Sequence, residues 1–214
     1  MRTISAEQSV AIIPDGASLM IGGFMGVGTP ERLIDELVRR KPRDLTVIAN
    51  DTASPGRGIG KLVEANLLRK AIVSHIGLNP EAQRQMMAGQ LEVDLVPQGT
   101  LIERIRAGGH GLGGILTQTG IGTPVETGKQ RVDLHGKSYL LETALRADFA
   151  LVQAFLADYL GNLSYALTAR NFNPVIAMAA DIVIVCADNI VPVGVMSPDH
   201  VVTPAPLVDY LIAN

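Results

Sequence analysis

Residues 22–30 read Gly-Gly-Phe-Met-Gly-Val-Gly-Thr-Pro, and this stretch decides how the chain begins to fold. A continuous apolar run at residues 17–23 leads into it, which is typical of a buried strand, and apolar residues at helical spacing follow it. We expect Thr29 to cap this helix and Pro30 to occupy its first position. The order of strand, glycine loop and helix predicts the first unit of an α/β fold.

The same alternation continues through the first half of the chain. Short apolar runs predict strands and amphipathic runs predict helices, with strands at residues 45–49, 71–75 and 91–96 and helices at residues 60–68, 80–88 and 100–107. Four strand-loop-helix units in succession favour a three-layer α/β fold, in which helices cover both faces of a mostly parallel sheet.

The second half of the chain is richer in strands. A glycine-rich segment at residues 108–128 shows little periodicity, and the segments 131–134 and 138–141 flank His-Gly-Lys in the manner of a β-hairpin. Further strands are predicted at residues 149–154, 163–166 and 182–187, and helices at about residues 174–180 and 206–212. Since no linker-like stretch is visible, we expect a single domain over residues 1–214.

Composition excludes several classes of protein. The 214 residues carry a formal net charge of −3 and their basic residues are scattered, so a nucleic-acid-binding face is not expected. The N-terminus lacks an apolar signal core and nowhere do 18 apolar residues follow one another, so no membrane association is expected. A cytoplasmic location is the corresponding expectation.

Residues that commonly hold metals are few and dispersed. Cys186, the single cysteine, lies in an apolar run and is expected to be a buried thiol rather than a nucleophile. The four histidines are far apart in the sequence, at His75, His110, His135 and His200. We therefore expect no metal site and no permanently bound cofactor.

Two glycine patterns resemble nucleotide-binding loops only in their letters. Gly109, Gly111 and Gly114 satisfy G-x-G-x-x-G, but a helix is predicted before them where a dinucleotide site requires a strand. The segment from Gly122 to Lys129 has five residues between its glycines where a phosphate loop has four. Neither pattern predicts a nucleotide site.

The glycine loop at residues 22–28 has the context that those patterns lack, because it lies between a strand and a helix. Its four glycines allow a ligand to approach the backbone, and the start of the helix offers N–H groups to negative charge. The alternative is an inert tight turn. We favour an anionic or oxyanion-bearing ligand, contacted by Gly22, Gly23, Phe24, Met25, Gly26, Val27 and Gly28.

Several short motifs follow one another along nearly the whole chain. They begin with Asp15-Gly16, an apolar run, Gly22-Gly23-Phe24, Gly28 and Pro30. They continue with Ile-Ala-Asn-Asp at 48–51, Pro-Gln-Gly-Thr-Leu at 97–101, Glu-Arg-Ile-Arg-Ala-Gly-Gly at 103–109, Thr-Gly-Ile-Gly-Thr at 119–123 and Ala-Arg-Asn-Phe-Asn at 169–173. Together these motifs resemble the α subunit of family I coenzyme A transferases. Asn50-Asp51 and the segment 74–81 are most similar to the acetate/acetoacetate type.

The resemblance implies a ping-pong reaction that moves coenzyme A from an acyl-CoA to a carboxylic acid. In this family a glutamate of the β subunit, in a Ser-Glu-Asn-Gly setting, forms a mixed anhydride and then a glutamyl-CoA thioester. This chain contains no Ser-Glu-Asn-Gly. The resemblance therefore implies a partner β subunit, an α2β2 or larger assembly, and coenzyme A as a substrate rather than a resident cofactor.

The resemblance also assigns roles to three polar residues. Gln98 matches a glutamine at the family's active site, where an amide stabilises the developing oxyanion, and Asn50 matches an asparagine that lines the acyl pocket. Asp51 stands where relatives have a second asparagine, and its charge either shapes the choice of substrate or caps the turn. Asn171 and Asn173 belong to a polar cluster that we interpret as a helix cap or a partner contact.

Alternatives from other classes are a sugar-phosphate isomerase and a non-catalytic acyl-CoA-binding module. The isomerase requires a carboxylate base beside a basic phosphate site, and residues 22–30 contain no basic residue. The binding module would bind acyl-CoA without exchange. Within the leading interpretation, a 3-oxoadipate or succinate:3-oxoacid transferase is the alternative to the acetate/acetoacetate type.

Overall fold

The computed structural model describes residues 1–212, in which strands and helices alternate through the first half of the chain as predicted. The strands are β1 (Arg2–Ile4), β2 (Ser18–Ile21), β3 (Leu45–Asp51), β4 (Leu68–His75), β5 (Glu92–Leu95), β6 (Gly114–Thr117), β7 (Arg131–Leu134), β8 (Lys137–Thr143), β9 (Ala147–Asp158), β10 (Leu163–Ser164), β11 (Ala180–Val191) and β12 (Tyr210–Ile212). The α-helices are α1 (Ala6–Ala11), α2 (Glu31–Arg40), α3 (Ile59–Glu64), α4 (Pro80–Met87), α5 (Gln98–Gly109) and α6 (Asn173–Ile176).

The main sheet is parallel apart from one short strand. Its order is β1-β12-β11-β9-β2-β3-β4-β5, and β10 pairs antiparallel with β9. Alternate residues of β2 face opposite cores: Leu19 and Ile21 pack with α1, α2 and α3, whereas Met20 packs with α5 and α6. Helices thus cover both faces, and the predicted three-layer α/β fold is confirmed.

A small antiparallel sheet accounts for part of the β-rich second half. Strands β7 and β8 form the predicted hairpin, and β6 pairs with the other side of β8. Strand β6 lies within the glycine-rich segment and was not predicted, because only four residues of that segment pair with a neighbour.

The prediction of a terminal helix at residues 206–212 is wrong. A 3₁₀ turn at Ala205–Leu207 is followed by β12, which lies between β1 and β11. Leu211 and Ile212 are buried in the sheet. Periodicity cannot distinguish a short buried strand from a helical turn, because both are apolar on every side.

Other element boundaries differ in ways that packing explains. The helix predicted at residues 60–68 ends at Glu64, because Leu68 already belongs to β4. Helix α1 was missed, although Ser5 and Gln8 form a complete capping box that signals it in the sequence. No helix within residues 1–212 has the length and apolar character needed to cross a membrane.

Candidate functional site

The glycine loop and the polar candidates meet at one edge of the main sheet. Parallel strands direct their carboxyl ends to the same edge, so the loop after β2 lies beside Asn50 and Asp51 at the end of β3. Gln98 reaches this edge as the first residue of α5, two residues earlier than the predicted start of that helix. The fold therefore brings together candidates that are far apart in the sequence.

The tip of the glycine loop is a tight two-residue turn. Phe24 and Val27 exchange two backbone hydrogen bonds of 3.0 and 2.9 Å. Between them Met25 and Gly26 have φ angles of +50° and +85°, as in a type I′ turn. A non-glycine residue in the left-handed region costs about 1–2 kcal/mol. Met25 must therefore be held in place by contacts outside the turn.

One brace of the turn comes from the end of β3. The N–H of Met25 donates to Asp51 Oδ2 at 2.9 Å, and the amide of Asn50 donates to the same oxygen at 2.6 Å. The amide of Gln98 in turn donates to Asn50 Oδ1 at 2.5 Å. Asp51 Oδ1 accepts from the N–H of Ala53 at 2.7 Å. Both oxygens of the Asp51 carboxylate are thus engaged in holding backbone, as expected of a residue that caps the turn.

A second brace comes from the asparagines before and within α6. Asn171 accepts from the N–H of Gly23 at 3.0 Å and donates to the carbonyl of Val27 at 2.9 Å. Asn173 donates to the carbonyl of Gly28 at 2.9 Å. Neither side chain caps α6, so the interpretation as a helix cap is wrong. These contacts span more than 140 residues of sequence, and no local pattern could have revealed them.

Close packing explains the residues at both ends of the loop. A Cβ atom on Gly22 would lie 1.8 Å from Asn173 Oδ1, so only glycine fits there. Thr29 does not cap α2, contrary to prediction, because that helix begins at Glu31 and Pro30 occupies the capping position. The buried Thr29 side chain instead packs against Gly23, where a Cβ atom would lie 2.1 Å from its hydroxyl.

The exposed surface of the loop combines apolar side chains with neutral donors. Phe24, Met25 and Val27 are each close to half exposed. The N–H groups of Gly26 and Gly28 take part in none of the hydrogen bonds that brace the loop. Such a surface suits an acyl group whose oxygen carries partial negative charge.

The carboxylates near the loop are engaged elsewhere. Asp51 accepts three hydrogen bonds from the protein, as described above. Glu31, at the start of α2, accepts from the N–H of Gly58 at 2.8 Å and pairs with Lys61 at 2.7 Å. Both carboxylates therefore act on their own chain in this structure.

The remaining candidates from the sequence stay outside the site. Cys186 is 3% exposed, and burial raises the pKa of its thiol to about 12, which agrees with a packed thiol rather than a nucleophile. Gly109 ends α5 and Gly114 begins β6, so the order is helix then strand, the reverse of a dinucleotide loop.

Comparisons with known proteins agree with this geometry. The sequence matches the coenzyme A transferase family over residues 3–214. It is 54% identical to the alpha subunit of the acetate CoA-transferase of Escherichia coli, covering 100% of this chain and 97% of that one. It is 47% identical to the acetoacetyl-CoA:acetate/butyrate CoA transferase alpha subunit of Clostridium acetobutylicum, covering 99% of this chain and 97% of that one.

Among solved structures, an acyl-CoA transferase from Escherichia coli O157:H7, in a thioester complex with CoA, superposes with a TM-score of 0.89 at 26% identity. The superposition covers 99% of this chain and 47% of that one, so this chain spans about half the length of the solved relative. The chain therefore belongs to the coenzyme A transferase family, as a subunit of the α type.

Proposed function

We propose that this chain forms the acyl-binding and oxyanion-stabilising half of an acetate/acetoacetate-type CoA-transferase. The complete enzyme moves coenzyme A between a short-chain or 3-oxo acyl-CoA and a carboxylic acid. The nucleophilic glutamate is contributed by a β subunit, in an α2β2 or larger assembly. Coenzyme A enters and leaves as substrate.

The observation that carries this proposal is the connected polar chain from Gln98 through Asn50 and Asp51 to the N–H of Met25. Asn50 and Asp51 are buried, whereas Gln98 is exposed at the sheet edge. The chain fixes a strained turn and leaves neutral donors beside an apolar surface. It offers no ionised group of its own to the substrate, which is the arrangement expected of a site whose reactive carboxylate comes from outside.

The chemistry assigns each part a role. When a carboxylate attacks the thioester carbonyl, negative charge develops on the carbonyl oxygen, and preorganised neutral donors stabilise it in a site from which water is excluded. We assign this task to the amide of Gln98 and to the N–H groups of Gly26 and Gly28. Phe24, Met25 and Val27 line the path of the acyl chain, and Asn50 orients Gln98.

The names of the relatives support the acetate/acetoacetate assignment. The relatives with the identities given above act on acetate, acetoacetyl-CoA and butyrate by name, whereas one polypeptide of a succinyl-CoA:3-ketoacid coenzyme A transferase from Xanthomonas campestris is 47% identical over 100% of this chain. Turnover of acetate, butyrate, acetoacetate and succinate by one preparation ranks the acceptors.

The decisive experiment compares this chain alone with its complex with a β chain that carries Ser-Glu-Asn-Gly. We expect transfer of CoA from acetoacetyl-CoA to acetate by the complex only, with a glutamyl-CoA thioester that borohydride traps on the β chain. Full turnover by this chain alone would refute the division of roles.

Replacing Gln98 by alanine tests the oxyanion role. Loss of one such donor costs about 2.7–4 kcal/mol, so kcat of the complex should fall by roughly 10²–10³-fold while assembly is unchanged. Gln118→Ala is the matched control, because Gln118 is also exposed and lies in the other glycine-rich segment. Equal kinetics of Gln98→Ala and wild type would reduce Gln98 to part of the scaffold.

A further inference from the structure

Strands β9 and β11 extend well beyond the rest of the main sheet. The two strands pair from Ala147 and Ala180 as far as Asp158 and Val191. Strand β2 accompanies β9 only to Leu151, and the pairing of β12 with β11 ends at Val185. Past these points residues 152–160 and 186–195 form a two-stranded arm, beside which only the short β10 pairs within residues 1–212.

The surface of this arm is apolar and almost free of charge. Its exposed apolar side chains are Phe155, Tyr159, Leu160, Val193 and Val195, which are 46–63% exposed. Residues 189–198 contain no charged residue, and residues 151–169 contain only Asp158. Asp158 is buried and accepts from the N–H groups of residues 160–162. Exposed aromatic and aliphatic side chains without charges are the composition of an interface core.

The outermost residues of the arm lie on a sheet face that is covered elsewhere. Phe149 and Leu151 of β9 pack in the core beneath α1, α2 and α3. Side chains two residues apart along a strand share a face, so Phe155 continues this face beyond the helices. An apolar face that is buried over one half of its length and bare over the other requires a cover that this chain does not supply.

The arm begins where the glycine loop is anchored. The N–H of Gly22 donates to the carbonyl of Leu151, and the N–H of Gln153 donates to Asn173, which also holds Gly28. An open cleft of about 530 Å³ lies between the two features, with Gly28 on one wall and Gln153 and Asp188 on the other. Any body that completes the site at the glycine loop therefore meets the arm.

We infer that the arm is the docking surface for the β subunit, an inference that rests on the function proposed above. The solved transferase of which this chain covers 47% has a second half in the same polypeptide, and here a second polypeptide takes that place. A second copy of this chain is the weaker occupant, because it has the same sequence and also lacks Ser-Glu-Asn-Gly.

The test measures binding of the β chain to variants with one buried-interface residue replaced. Phe155→Glu and Val195→Glu should each raise the Kd for the β chain at least about 30-fold, as expected for an interface hot spot. Met87→Glu is the control, since Met87 is 84% exposed on α4 and should change Kd less than about twofold. Circular dichroism and thermal unfolding of each isolated variant establish that it is folded.

Hydrogen exchange of the unmodified complex gives a measurement that no variant can confound. Amides at residues 155–160 and 189–195 should become protected when the β chain binds. Unchanged protection there, or wild-type Kd for both arm variants, would overturn the inference. It would also be overturned if the arm variants abolished self-association of this chain and still bound the β chain normally. A complex that forms through the arm but transfers no CoA would instead reject the proposed function.

Discussion

The chain contains two glycine-rich segments, residues 22–28 and residues 108–128, and only the first is built as a binding loop. The first is braced by Asp51 and Asn171, which are 26 and 148 residues away from the groups that they hold. The second is organised locally, for example by Glu126, which accepts from the N–H of Gly122 four residues earlier. Glycine content therefore does not identify a site, whereas long-range braces on a strained turn do.

The glycines of the second segment serve a different purpose. A Cβ atom on Gly108 would lie 2.0 Å from the carbonyl oxygen of Leu145, and one on Gly114 would lie 2.4 Å from that of Glu142. These glycines let α5 and β6 approach their neighbours closely. In the first segment close approach instead places donors at an exposed surface, and preorganised donors of this kind need no rearrangement during reaction.

The largest expected effect comes from adding one methyl group to each segment. Gly22→Ala forces a Cβ atom into Asn173, which is fully buried and holds the loop, so stability should fall by about 3 kcal/mol and transfer activity should be lost. Gly113→Ala has no atom within 4 Å of the new Cβ and should leave both unchanged. Urea unfolding and turnover of the complex measure the difference; equal behaviour of the two variants would remove the distinction.

An intermediate effect is expected when the brace of the turn is removed. Asp51→Ala leaves the N–H groups of Met25 and Ala53 without their acceptor, which should cost about 2 kcal/mol of stability. Because small displacements of positioned groups reduce rates strongly, kcat should fall by roughly 10²-fold. Asp51→Asn keeps one acceptor oxygen and should recover part of both losses. Normal kcat in a destabilised Asp51→Ala complex would show that the turn need not be rigid.

The smallest effect concerns the second segment and depends on pH. The hydrogen bond from the Gly122 backbone, together with Arg131, lowers the pKa of Glu126 below its ordinary value of 4.5. A lowered folded-state pKa means that the contact stabilises the segment fully above about pH 4.5 and is lost as pH falls through the folded-state pKa. Amide exchange at Gly122 should therefore show protection that disappears in acid.

The matched variant for this prediction is Glu126→Gln. It should show weak protection at Gly122 at every pH, because the amide oxygen is a weaker acceptor than the carboxylate. CoA transfer at neutral pH should equal that of the wild type. Loss of transfer in Glu126→Gln would place the second segment in the functional site and break the contrast between the two loops.

Much of the fold could be predicted because its signals are local. The alternation of apolar strands with amphipathic helices depends on residues within one element, and α2 and α4 occur where periodicity places them. The failures, at β12 and β6, are short segments whose state depends on the strands beside them. The caps divided in the same way: Ser5 and Gln8 signal α1 locally, whereas Thr29 is diverted by its packing against Gly23.

The sequence by itself determined the fold class, the family resemblance and the residues at the sheet edge, because these follow from periodicity and from motifs of a few adjacent residues. Only the tertiary structure decided what those residues do to one another. It assigned Asp51 to the turn, recruited Asn171 and Asn173 as braces and left the arm bare at the border of the loop. The physical reason is that hydrogen bonds and exposed faces depend on distances in space, and a parallel sheet brings together strand ends that are far apart along the chain.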